Sequence, residues 1–371
     1  MKITVCSPEL GISPESNSGG EVYDREVINN LCSQDTKVLT YLPKNRNYFP
    51  NKNLKVDFAP IQPMYPPYIF NLFVYRYLTQ IHKTRKFDLL RVHSPYFVGP
   101  AACLFKKNHP EMPIIASYLH LEKNNKIFMY LDKLLINNYD QIITISEFTK
   151  KELIKTFSFA ENKIKVAYPG LNKMYKPGPK NQKLLKKNQI KNEKILLFLG
   201  GLKPRKNPLF LLDVFKKLNR KDIVLIFAGE GSLKGSLQIK AKSLGIDGTV
   251  RFGGFIPEKD KTEHYNLADI VLLPSLKEGF GMIAAEAQAC AKPVIVSDNS
   301  SLPEVINNNK TGFLAKTNDV GDWGKKITLL LDNEKMRNTF GKSAGDFVTQ
   351  KFSWETNAKI HKQIFEQVLK K

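Results

Sequence analysis

Cysteine is scarce: the 371 residues hold four, Cys6, Cys32, Cys103 and Cys290, each in apolar surroundings and none at metal-ligand spacing. That excludes a disulfide framework and a zinc finger, and it fits reduced core thiols in a cytoplasmic protein. Long apolar runs are missing as well. Residues 1–6 are too short for a signal peptide and read as a first strand. Residues 69–78, interrupted by Asn71 and Arg76, fall short of the roughly 20 residues a membrane span needs. Several nucleotide and nucleic-acid signatures are absent. Gly341-Lys342-Ser343 has Met336 where the first glycine of a P-loop belongs, and after Gly229 and Gly231 Lys234 takes the third glycine position of the dinucleotide fingerprint. No helix-turn-helix or RNA-binding pattern occurs, and no Asp-x-Asp pair follows a strand to hold a metal.

Acid is the other shortage, with 35 Asp and Glu against 57 Lys and Arg and a formal net charge of +22. Such a balance implies attraction to something anionic: a membrane surface, nucleic acid or phosphorylated substrates. The lysines are spread along the chain among many asparagines, so a compositional bias of the source explains the charge equally well. Nucleic acid is the poorest of the three partners, because the cations form no stripe interleaved with stacking aromatics.

What is present is an alternation of apolar runs and helical patterns, long enough for two domains and with 42% hydrophobic residues to fill their cores. Strands are expected at 38–42, 54–58, 88–93, 113–118, 140–146 and 164–167, then at 195–199, 223–228, 249–252, 269–273 and 293–296. Helices are expected after Gly19-Gly20 and at 68–86, 208–218, 258–266, 319–331 and 335–350, with another from Ser146 and a last one from Ser353. Residues 176–194, rich in lysine with two prolines and a glycine, have the composition of a mobile basic linker.

Chemistry concentrates in residues 274–290. A strand runs into the bend Glu278-Gly279-Phe280-Gly281, and an Ala-rich helix from Met282 carries Glu286, eight positions after Glu278. The glycines let backbone amides approach a ligand at the helix N-terminus, where anionic and hydroxyl groups are favoured. A second cluster, Gly200-Gly201-Leu202-Lys203-Pro204-Arg205-Lys206, is a glycine turn with three cations before a helix start, which suits a diphosphate. Gly19-Gly20 opens a helix after the first strand. His120 follows the 113–118 strand at its carboxyl end, where open α/β sheets bind ligands, whereas His93 reads as a structural histidine.

Two glutamates eight apart, framed by Pro274-Ser275, Glu278-Gly279-Phe280-Gly281 and Lys292-Pro293-Val294, resemble the nucleotide-sugar site of the retaining glycosyltransferases of family 4. The likeness covers nearly the whole chain and is strongest over 195–314. It implies a GT-B fold, two doubly wound parallel-sheet α/β domains facing a cleft: an acceptor-side domain at 1–174, on which a C-terminal helix at 353–371 packs back, and a nucleotide-sugar domain at 175–352. It further implies transfer of a hexosyl group from a UDP- or GDP-hexose, without a metal or other cofactor, to a glycan, lipid-linked or small-molecule acceptor.

By that resemblance Lys206, Arg205, Gly201, Gly19, Gly20, Gly279, Phe280 and Gly281 meet the diphosphate, and Glu286 the ribose. Glu278 holds the sugar hydroxyls, His120 lies near the transferred sugar, and the loop at Phe255 seats the base. Two departures stand out: Gly201 replaces the family's arginine, and Asn172 its acid at the domain boundary. A sugar-nucleotide epimerase of the same architecture and a non-enzymatic binder of anionic polymers remain as rivals. The helix at 68–86, aromatic and aliphatic at its start (Tyr68, Ile69, Phe70, Leu72, Phe73, Tyr75, Tyr77) and cationic at its end (Arg76, Lys83, Arg85, Lys86), with Lys44, Arg46, Lys52 and Lys55 nearby, is either the contact with an anionic membrane or a helix whose apolar start packs inside the domain with its lysines solvated.

Overall fold

The computed structural model describes residues 2–8, 19–43, 47–48, 50–59, 67–93, 95–121 and 126–370. Ser18, Lys44 and Arg46, and the side chains of Tyr68 and Ile69, lie outside the described residues. The chain divides into two compact units, Met1–Gly170 with Ser353–Lys371, and Leu171–Phe352.

In the first unit the elements run β1 (Thr4–Cys6), α1 (Gly19–Ser33), β2 (Lys37–Pro43), β3 (Leu54–Ala59), α2 (Pro67–Arg85), β4 (Leu89–Val92), α3 (Pro95–Asn108), β5 (Ile114–Tyr118), α4 (Lys126–Leu135), β6 (Gln141–Thr144), α5 (Glu147–Phe157) and β7 (Ile164–Val166). The strands form a parallel seven-stranded sheet in the order β3-β2-β1-β4-β5-β6-β7. β4 and β5 are buried throughout, because helices cover both faces of such a sheet and alternation gives way to continuous apolar runs. Ser146 caps α5 by accepting from the Thr149 amide at 3.1 Å.

The chain's last helix (Trp354–Leu369) belongs to this unit. Asn357 Nδ2 donates to the carbonyls of Ala167 and Tyr168 at 3.1 and 2.8 Å, and Trp354 packs 5.6 Å from Tyr23, ring centre to ring centre. Gly170 makes the close crossing possible: a Cβ there would lie 2.0 Å from the Trp354 amide nitrogen.

The second unit contains α6 (Gln182–Lys187), β8 (Lys194–Leu199), α7 (Pro208–Leu218), β9 (Ile223–Ala228), α8 (Lys234–Ser243), β10 (Val250–Gly254), α9 (Lys261–Leu267), β11 (Ile270–Leu273), α10 (Met282–Ala289), β12 (Val294–Ser297), α11 (Leu302–Val305), β13 (Gly312–Ala315), α12 (Val320–Asp332) and α13 (Glu334–Lys351). Its six strands are parallel in the order β10-β9-β8-β11-β12-β13, so the direction of winding reverses between β8 and β11. Two doubly wound sheets, one per unit, are the GT-B pattern.

Two expectations are corrected. Residues 176–194 are no mobile linker: the Gly178 amide bonds Asn266 Oδ1 at 3.0 Å, Lys180 pairs with Asp269 at 2.8 Å, Asn181 caps α6 and Ile190 is buried. Lysine-rich composition had masked a segment tied down by partners about 90 positions away. The aromatic start of α2 is no free face either. Phe70, Val74, Leu78 and Ile81 are buried at helical spacing, and Phe73, Tyr75 and Tyr77 pack against the same core, leaving Leu72 exposed. Helices α3, α4, α6, α8 and α11 and strand β13 lie outside the sequence expectations; α3 opens with Pro95 at its first position, where no amide hydrogen is needed.

Candidate active site

Ligands in open α/β sheets sit outside the carboxyl ends of the strands where the winding reverses. In the second unit that point lies between β8 and β11, and both cation-bearing and carboxylate-bearing loops leave there. The Leu276 amide donates to the Arg205 carbonyl at 2.8 Å, stitching the loops together.

Glu278 stands at their junction, 6% exposed. Its carboxylate takes a short hydrogen bond from Lys206 Nζ, one from Arg205 Nη1 at 3.2 Å and one from Ser275 Oγ at 2.7 Å. Arg205 also donates to the Lys277 carbonyl at 3.2 Å. The Glu278 backbone is held by Ser300 and Ser301, whose hydroxyls meet its amide and carbonyl at 3.1 and 3.0 Å. Burial pushes this carboxyl up, but the charges of Lys206 and Arg205 outweigh it and hold the group below the usual carboxylate range. The two cations therefore face a carboxylate that stays ionised at neutral pH.

Gly281 begins the helix beyond, with φ of 107°, a conformation costly for any residue with a Cβ, and a Cβ would meet Leu302 Cδ2 at 2.8 Å. Phe280 is buried with its ring edge-on to Phe352 at 5.0 Å, so its side chain packs and its backbone faces the bend. Glu286, the fifth residue of α10, is 3% exposed and accepts from Tyr265 Oη at 2.5 Å, with Lys261 Nζ at 3.6 Å. Burial raises its pKa against the pull of Lys261. Lys261 and Tyr265 lie one turn apart on α9, a partnership that 21 positions of chain conceal from sequence reading.

Gly200 and Gly201 begin the cationic loop, and Arg205 brings a guanidinium to the cluster that Gly201 cannot supply. Phe255 follows β10 and is 60% exposed.

The remaining expected residues belong to the first unit. Gly19 and Gly20 are the first residues of α1, and the Gly20 carbonyl accepts from His93 Nε2 at 3.0 Å. A Cβ on Gly20 would lie 3.3 Å from Leu119 Cδ1, which sets the glycine beside the strand end that carries His120. His120 itself is exposed. His93 is buried and stacked on Tyr23 at 5.7 Å, beside a buried ion pair between Arg91 and Asp24, as a structural histidine would be.

Two family models match the chain, one described as Glycosyltransferase Family 4 over residues 17–173 and one as Glycosyl transferases group 1 over residues 180–346. The chain belongs to the family 4 glycosyltransferases. An uncharacterized glycosyltransferase, MJ1178, of Methanocaldococcus jannaschii is 26% identical over 357 residues, 94% of this chain and 95% of that protein. A D-inositol 3-phosphate glycosyltransferase of Corynebacterium kroppenstedtii is 28% identical over 250 residues, 64% of this chain, which spans only 55% of that relative's length. Among solved structures, a glycosyltransferase from Rickettsia africae superposes with a TM-score of 0.80 at 18% identity, covering 100% of this chain and 99% of that one. The Anabaena protein Alr3699/HepE, solved in complex with UDP-glucose, gives 0.80 at 17% identity over 98% of this chain and 100% of that one. At those identities the likeness concerns the fold.

Proposed function

We propose that this family 4 glycosyltransferase transfers a hexosyl group from a nucleoside diphosphate hexose to a glycan, lipid-linked or small-molecule acceptor, with retention at the anomeric carbon and without a metal. The carrying observation is the convergence of Lys206 and Arg205 on buried Glu278 at the reversal between β8 and β11. As the donor's C–O bond breaks, the leaving diphosphate gains negative charge and the sugar becomes cation-like, so donors aimed at the leaving group lower the barrier. An ammonium has three hydrogens. Glu278 takes one from Lys206 and orients it, and the others serve the diphosphate, with Arg205 and the amides at Gly281 beside it.

Glu286, steadied by Tyr265, offers its free carboxylate edge to the ribose hydroxyls, and Glu278 its second face to the sugar. Phe255 and its neighbours at the end of β10 take the base. UDP-hexose is the first donor to try, since the Anabaena relative in fold was solved with UDP-glucose. A phosphorylated acceptor fits the cationic chain, in keeping with the inositol phosphate in the name of the Corynebacterium relative.

A thermal-shift panel of UDP- and GDP-hexoses tests this, followed by NMR of the product formed in excess chelator. One donor at 100 times its Kd is expected to stabilise the protein by about 2.7 kcal/mol. Lys206→Ala and Glu286→Gln should abolish both the shift and transfer, and the product should keep the donor's anomeric configuration. Turnover of the donor to another sugar nucleotide without acceptor would replace the reading with an epimerase, and activity restored only by magnesium would reject the metal-free chemistry.

A further inference from the structure

We infer that the first unit carries a transition-metal site made by His82, His109 and Glu111, suited to zinc. His82 lies in the last turn of α2, and His109 and Glu111 in the turn between α3 and β5, so residues 27 and 29 positions apart are brought to one point by the packing of two helices. One ligand atom from each lies within 4.8 Å of the others. His109 Nδ1 and Glu111 Oε1 are 3.6 Å apart, close to the roughly 3.4 Å edge of a tetrahedron whose bonds are about 2.1 Å.

A second observation is independent of that spacing. His82 Nδ1 is buried and has no hydrogen-bond partner, an arrangement that costs about 1–3 kcal/mol unless something accepts or binds there. The rings are held in place by aromatic neighbours. Phe105 stacks on His109 at 4.4 Å and meets His82 edge-on at 5.5 Å, Phe87 meets His82 edge-on at 4.9 Å, and the imidazoles stand 4.9 Å apart at 65°. The turn is rigid too, since the His109 amide bonds the carbonyls of Phe105 and Lys106 at 3.1 Å and the Met112 amide bonds the His109 carbonyl at 2.9 Å.

Two imidazoles and one carboxylate select zinc and its neighbours over magnesium, which prefers all-oxygen ligands. Three protein ligands leave a fourth position for water, in keeping with a Glu111 side chain that is 68% exposed. Both segments precede their strands, so the site lies at the amino ends of β4 and β5. His120 and Gly20 lie at the opposite, carboxyl ends. The metal therefore bolts the end of α2 to the end of α3 and supports the unit's stability, with no part in sugar transfer.

The test uses the full chain stripped with chelator, titrated with cobalt and zinc and followed by visible absorption and thermal shift. One equivalent of cobalt should give d–d bands without thiolate charge transfer, and zinc should raise the thermal midpoint. Glu111→Gln, at an exposed position that leaves the fold intact, should weaken zinc binding at least about tenfold, and His109→Gln should abolish it. Thiolate bands, or zinc binding equal in Glu111→Gln, His109→Gln and the parent protein, would assign the metal to the cysteines or to adventitious surface binding and overturn the site. Absence of binding would leave an aromatic cluster only.

Discussion

Glu278 shows how one residue couples folding to the chemistry proposed for it. Its folded pKa is depressed because Lys206 and Arg205 more than offset burial. The ion pair's contribution is therefore fully present above the unfolded value of about 4.3 and is lost as pH falls through the folded value. Lys206→Ala should cost about 3 kcal/mol at pH 7, because it leaves a buried carboxylate with one exposed guanidinium. The cost should shrink below about pH 4 and be largely recovered by adding Glu278→Gln. Urea denaturation of the parent protein and the two variants across pH reads this directly, and a pH-independent loss would mean that Lys206 matters only through packing.

At the scale of elements, the cationic loop keeps its shape because a second loop is pressed against it. The Gly200 amide donates to the Ala228 carbonyl, the Leu202 amide to that of Glu230 and the Leu233 amide to that of Leu202, all at 2.9–3.0 Å. Only glycines permit the approach. A Cβ at Gly229 would lie 1.9 Å from the Gly200 carbonyl oxygen, and one at Gly231 2.4 Å from that of Leu202. The same residues that miss the dinucleotide fingerprint thus buttress the loop proposed to hold the diphosphate. Gly229→Ala should destabilise the unit by about 1–3 kcal/mol and weaken donor binding in step, as denaturation and donor titration would show. Unchanged donor affinity in a destabilised variant would separate the two loops functionally.

For the molecule as a whole, the proposed acceptor raises the question of a membrane. Among the described residues no helix is long and apolar enough to cross one. With the start of α2 packed inward, α4 is the better surface: Ile127, Tyr130 and Leu134, at helical spacing, are 70%, 63% and 53% exposed, with Lys126 and Lys133 exposed beside them. Each basic residue near an anionic surface contributes about 1 kcal/mol, and salt removes it. Sedimentation with anionic liposomes should show binding at low salt that fades at high salt. The pair Ile127→Ser and Leu134→Ser should reduce it more than removal of the charges at Lys83, Arg85 and Lys86. No binding at low salt would leave a soluble acceptor as the better account.

The sequence alone carried most of the strands, the strongly patterned helices and the two successive α/β halves, though not α3, α4, α6, α8, α11 or β13, because apolar periodicity and glycine turns are local signals that survive without neighbours. It also set Lys206, Arg205, Glu278 and Glu286 on the segments that leave β8 and β11 or follow them, since a strand, a bend and a helix start are each legible over a dozen residues. Tertiary structure alone decided which side chains meet. Ser275, Ser300 and Ser301 hold Glu278, Tyr265 and Lys261 hold Glu286, residues 176–194 fold onto α9 and β11, and His82 comes to rest against His109. Each of these depends on distance in space between residues far apart in the chain, and packing fixes that distance only once the sheets and helices have assembled.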